Sequence, residues 1–164
     1  MTDDSTYLLL DTAVLLLLLV ARVDVELLFT FKRMSIFEVG DQQILNAILQ
    51  RYGHIITTPH VLAEVSNFVD QAPPHRRRAL IAALRAFVLE QQEHYERAAT
   101  LVTRAEFDGL GMADTGLLSL SFRATVLTTD ARLYARILNS GSFALNFSHQ
   151  RGYAIAQQIG RAHV

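Results

Sequence analysis

Four acids in this chain, Asp11, Glu64, Asp114 and Asp130, stand where phosphoryl chemistry could be built. Asp11 ends the apolar run Tyr7-Leu8-Leu9-Leu10, and Asp130 follows Val126-Leu127-Thr128-Thr129. Glu64 falls within two turns of Thr58-Pro59, and Asp114 comes shortly after Gly109-Leu110-Gly111. Hard cations such as Mg²⁺ bind through a few carboxylates plus waters. Two such ions ~4 Å apart can stabilise both the attacking and the leaving oxygen of a phosphoryl displacement. Supplying them takes acids from different elements, meeting at one end of a sheet. Without metal, clustered carboxylates repel and raise one another's pKa values, so a cluster costs stability. Taken singly, Asp114 and Asp130 have an ordinary competing role, because an acid at a helix N-cap or in a first turn satisfies free N–H groups. Asp11, apolar on both sides, does not read as solvated surface.

Positioning these acids requires a parallel α/β sheet. A short apolar run followed at once by a helical pattern reads as a central strand, and in such folds ligands bind at the carboxyl ends of the strands. The spacing predicts strands over Tyr7 to Leu10, His54 to Thr57, Ala124 to Thr128 and Phe143 to Phe147. Helices are expected over Thr12 to Arg22, a short one from an N-cap at Asp24 through Phe31, and one after Gly40-Asp41 up to Tyr52-Gly53. Thr58 caps a helix with Pro59 at its first position, where the missing N–H costs nothing. Ala72-Pro73-Pro74 breaks that helix, and a long one follows with Leu80, Ile81, Leu84, Phe87 and Val88 toward the core. Glu90 to Arg97 is polar and weakly patterned, and Ala98 to Ala105 reads as helix. A further helix begins near Met112 with Asp114 in its first turn, and Asp130 caps the one that runs to Leu138. The tail from Ser148 carries no strong signal.

With 164 residues, half of them hydrophobic and 19% charged, the chain suits one folded domain over 1–164 rather than disorder. Its net charge of -1 provides no global attraction to nucleic acid, so any polyanion contact must come from local patches. Having no cysteine excludes disulfides and thiolate zinc sites and accords with a cytoplasmic location. Leu15 to Val20 reads as buried core. The acids before it, Asp3, Asp4 and Asp11, have the wrong sign for a signal peptide, and the run is about half of the ~20 residues a membrane span needs.

Taken together, Leu8-Leu9-Leu10-Asp11-Thr12-Ala13-Val14-Leu15, Thr57-Thr58-Pro59-His60-Val61-Leu62-Ala63-Glu64-Val65-Ser66-Asn67, Leu110-Gly111-Met112-Ala113-Asp114 and Val126-Leu127-Thr128-Thr129-Asp130 resemble the PIN-domain family. The likeness extends over essentially the whole chain, including Phe31-Lys32-Arg33 and Leu145-Asn146-Phe147. It implies a three-layer α/β/α fold with a mostly parallel central sheet and Mg²⁺- or Mn²⁺-dependent endoribonuclease activity. It also places the catalytic, metal-binding acids at Asp11, Glu64, Asp114 and Asp130. Many members are toxins of toxin–antitoxin pairs, which implies an antitoxin partner, and homodimers are frequent. One departure is Ala13, where the family often carries Asn or Ser two residues after its first Asp.

Thr129 matches a small polar position of the family, fit to orient a carboxylate or a water. Asn67, one turn beyond Glu64, could support the site through a hydrogen bond. Arg76-Arg77-Arg78 and Lys32-Arg33 are candidate RNA-phosphate contacts; solvated helix ends are the competing reading. Two other functions stay open. A PIN scaffold with weakened chemistry would act as an RNA- or protein-binding module, and a phosphoacceptor would use Asp11 as nucleophile.

Overall fold

A computed structural model describes residues 6–162, so Asp3 and Asp4 lie outside the described residues. In chain order the elements are β1 (Tyr7–Leu10), α1 (Thr12–Val23), α2 (Leu27–Thr30), a 3-10 turn (Lys32–Met34), α3 (Asp41–Arg51), β2 (His54–Thr57), α4 (Pro59–Val69) and α5 (Pro74–Glu90). There follow β3 (Gln92–Glu93), α6 (Ala98–Leu101), α7 (Phe107–Leu120), β4 (Thr125–Thr128), α8 (Ala131–Asn139), β5 (Ala144–Asn146) and α9 (Phe147–Ala162). The architecture is α/β, a parallel five-stranded sheet between helical layers, with strand order β3-β2-β1-β4-β5.

β1 is central because its side chains are apolar on both faces; Leu8 and Leu9 are fully buried. It pairs with β2 through Leu9↔Ile56 and with β4 through Leu10↔Leu127. From β1 the chain moves outward to β2 and β3, whereas from β4 it moves the other way to β5. Right-handed crossovers therefore send the helices after β1 and after β4 to opposite faces. A crevice opens between the carboxyl ends of these neighbouring strands, as at the switch points of other parallel sheets.

α1 is almost wholly buried, Val14 to Val20 without exception, which is what a leucine-rich helix between sheet and neighbours requires. No helix among the described residues is long and apolar enough to cross a membrane. The expected helix from Asp24 through Phe31 is only the single turn α2, followed by the 3-10 turn, since the segment has few residues between buried anchors at Leu27, Phe31 and Met34. In α5 Leu80 and Phe87 are buried but Ile81 is exposed, so the apolar face is narrower than expected.

The tail is the largest departure from the sequence reading. From Phe147 it forms a helix, seeded by the buried Phe147 ring, and the Asn146 side chain accepts a hydrogen bond from the Ser148 N–H at 2.9 Å. Arg151 fastens this helix to α3. Its Nε and Nη2 donate to the two carboxylate oxygens of buried Asp41 at 2.9 and 2.7 Å, and Asp41 also accepts from the Glu38 N–H at 2.7 Å. The Asp41 carboxylate raises the pKa of the Arg151 guanidinium further above its ordinary value.

Candidate functional site

Asp11 leaves β1 with its N–H bonded to the Leu127 carbonyl at 3.0 Å, which extends the β1–β4 ladder by one residue. Its carboxylate then turns into the crevice and is saturated with donors. One oxygen accepts from the Val14 N–H at 2.8 Å, so Asp11 is the N-cap of α1. The other accepts from the Thr128 hydroxyl at 2.7 Å, the Thr129 N–H at 2.8 Å and the Thr129 hydroxyl at 3.3 Å. Burial pushes the Asp11 carboxyl above the usual carboxylate range, and these hydrogen bonds pull against that rise.

Glu64 reaches the same edge from α4, which Thr58 opens by accepting the Val61 N–H at 3.2 Å. The Thr12 hydroxyl donates to Glu64 Oε1 at 2.7 Å and ties α4 to the start of α1. Asp130 caps α8, accepting from the Arg132 and Leu133 N–H groups at 2.7 and 3.2 Å.

Asp114 has no capping duty. α7 is two helical segments divided at Gly111, whose φ of 78° and ψ of -177° no other residue adopts readily. The helix expected to begin near Met112 is the second segment, and Asp114 lies in its first turn. Desolvation, then the negative charges of Asp11, Asp130 and Glu64, push the Asp114 carboxyl up to about 7; the Arg132 guanidinium opposes them. Asp11, Glu64 and Asp130 thus lie within electrostatic reach of Asp114. They are not drawn into a tight cage: among the described residues, no three acidic, imidazole or thiolate side chains gather closely enough to grip a metal ion. Each of Asp11, Glu64 and Asp130 is instead turned to a hydrogen-bond donor, the arrangement that repelling carboxylates adopt. The donor set is all carboxylate oxygen, which fits a hard divalent cation and no softer one.

Among the supporting residues, Thr129 holds Asp11, whereas Asn67 is exposed and makes no hydrogen bond to Glu64. Thr12, Thr128 and Arg132 were not anticipated as part of this edge. A hydroxyl closing a buried strand or following its terminal acid is the available signal for the first two. Ala13 is half-buried and packs against the hydrophobic core.

The candidate basic residues lie elsewhere. α1 and α4 both start at the acidic edge, and Lys32 and Arg33 come after the far end of α1. Arg33 Nε donates to Gln71 beyond the far end of α4 at 2.8 Å. Arg76, Arg77 and Arg78 open α5 at that same end, where Arg76 pairs with Asp24 at 2.8 Å. With 12 residues in α1 at ~1.5 Å each, these cations are on the order of 18 Å from the acids along the helix axis. No family model matches the chain, and no curated protein matches it either.

Proposed function

We propose that the chain is a PIN-like, metal-dependent endoribonuclease whose centre is the acidic edge formed by Asp11, Glu64, Asp114 and Asp130. The observation that carries this reading is the convergence of Asp11, Asp130 and Glu64 on Asp114, whose carboxyl is raised to about 7 by burial first and by those three charges next. Structural caps have no use for such crowding, whereas a cation relieves it. Asp11, Asp114 and Asp130 would hold Mg²⁺ or Mn²⁺, which when bound would supply Lewis acidity toward a water and toward the leaving 3′ oxygen.

The side chains have separate duties. Asp11 is fixed in orientation by Thr128 and Thr129, which hold its carboxylate at the carboxyl end of β1. Glu64, aimed by Thr12, orients the attacking water at the rim. Asp114 gives up its proton when the cation binds, which links binding to pH. Arg132, exposed and within electrostatic reach of Asp114, is the cation available to an incoming phosphate. RNA as substrate, an antitoxin partner, a homodimer and a cytoplasmic setting follow the resemblance to toxin-type members.

The test is cleavage of labelled single-stranded RNA with Mn²⁺ or Mg²⁺, beside EDTA and Asp114→Asn. Metal-dependent cleavage that disappears in the variant is expected. Absence of cleavage by a folded protein that still binds RNA would establish the second reading, a binding module. Ala13 and the open spacing of the acids favour that alternative.

A further inference from the structure

The end of the molecule opposite the acids carries a cleft of about 780 Å³ whose lining includes three cations, Lys32, Arg33 and Arg77, and no carboxylate. Ile36, Pro73 and Pro74 supply its apolar walls. In a chain of net charge -1, this is a local concentration of one sign.

Two of the cations are held in place by neutral partners. Arg33 donates from Nε to Gln71 at 2.8 Å, and its guanidinium stacks over the Phe68 ring at 4.3 Å. Arg77 donates from Nη2 to the Ala72 carbonyl at 3.2 Å, while its Nε is buried without a hydrogen-bond partner. None of the three forms an ion pair among the described residues, although neighbouring Arg76 is neutralised by Asp24. A partly desolvated guanidinium lacking a counter-charge, as at Arg77, is costly in isolation and is repaid by an anion, while exposed Arg33 and Lys32 add charge at the mouth.

We propose that this cleft binds the phosphate backbone of a single-stranded RNA, as a contact separate from the acidic edge. The proposal deepens the nuclease reading and rests on it for the choice of RNA. A strand is favoured over a lone anion because three cations from two segments line an open cleft of this size together with apolar Ile36, Pro73 and Pro74, against which sugars and bases can lie. A strand held here is anchored by a region that does not repel it, which offsets the acidic edge.

The test is fluorescence anisotropy with a labelled oligouridylate of about 12 nucleotides in EDTA, titrated from about 50 mM salt upward. Lys32→Glu and Arg77→Gln are each expected to weaken binding about five- to tenfold and to flatten the salt slope by roughly 0.7 per cation lost. Arg85→Glu, an exposed site on α5 outside the cleft, is expected to change affinity less than twofold. Lys32 is exposed and its replacement threatens no core contact, so the test survives if the Arg77 variant folds poorly. Equal binding by the Lys32 variant and the parent overturns the proposal. Inorganic phosphate or a dinucleotide binding as tightly as the longer strand overturns it too, since the cleft is then a single-anion site. Metal-dependent cleavage of a dinucleotide, too short to span from acids to cleft, reports on the acids alone. Failure to cleave either the dinucleotide or the longer strand refutes the nuclease and leaves the anisotropy result standing.

Discussion

At pH 5 the Asp114 carboxyl keeps its proton, and at pH 8 it does not, because burial and the charges of Asp11, Asp130 and Glu64 set its titration near 7. The unfolded chain releases that proton near 3.8. The folded state therefore prefers the protonated acid; the stability so gained is complete below the unfolded value and is lost as pH rises through about 7. Asp11, also raised, acts in the same direction. Urea unfolding should show stability falling from pH 5 to pH 8, and Asp114→Asn should flatten the fall and exceed the parent at pH 8. Mn²⁺ should raise the parent's Tm at pH 8 and leave that of Asp114→Asn unmoved; equal shifts in both would remove Asp114 from the metal site. A second residue prediction concerns Thr128. Thr128→Val deletes a donor to buried Asp11 and should cost about 1–3 kcal/mol in denaturant melts. Because Thr129 still holds Asp11, the fold should persist while metal-dependent cleavage drops roughly 10- to 100-fold.

Among the elements, α7 depends most on one position. Gly111 adopts a backbone conformation closed to side chains, yet no atom lies within 4 Å of where a Cβ would stand. Gly111→Ala should thus cost about 1–3 kcal/mol from backbone strain alone. Cleavage should suffer more than stability, because the break determines where Asp114 begins its helix; unchanged cleavage would mean that Asp114 is placed by packing instead. Strand and helix positions near the acids were legible in the sequence, since β1, β2 and α4 are bounded by abrupt changes in residue type. His54–Thr57 and Pro59–Val69 fall where Thr58-Pro59 and the β-branched run place them. α9 was not legible. Its only buried anchor is Phe147, and its binding to α3 depends on a pair 110 residues apart that no local pattern encodes.

For the whole molecule, that distant pair is the clasp between α9 and α3. Asp41 is 1% exposed, so removing its partner strands a buried charge. Arg151→Ala should cost about 3 kcal/mol, the low end for a buried pair because the Arg151 side chain is 20% exposed. Limited proteolysis should then cut within α9 before any other helix; unaltered cleavage sites would show that apolar packing alone holds it. The candidate site was legible as a set of acids but not as an arrangement. Asp11 and Asp130 each follow a strand and precede a helix, so the same spacing that makes them candidate ligands also makes them helix caps, and the capping is what their hydrogen bonds show.

The bonds from Thr128 and Thr129 to Asp11 join positions 117 and 118 apart in the chain. During synthesis, β1 and its acid emerge long before β4 exists to orient them, and of the other three acids only Asp130 comes after β4. A nascent or truncated chain lacking β4 holds three of the four acids, with Asp11 deprived of its Thr128 and Thr129 donors. The orientation of Asp11 is thus a property of the closed sheet, and no shorter stretch of the chain can supply it.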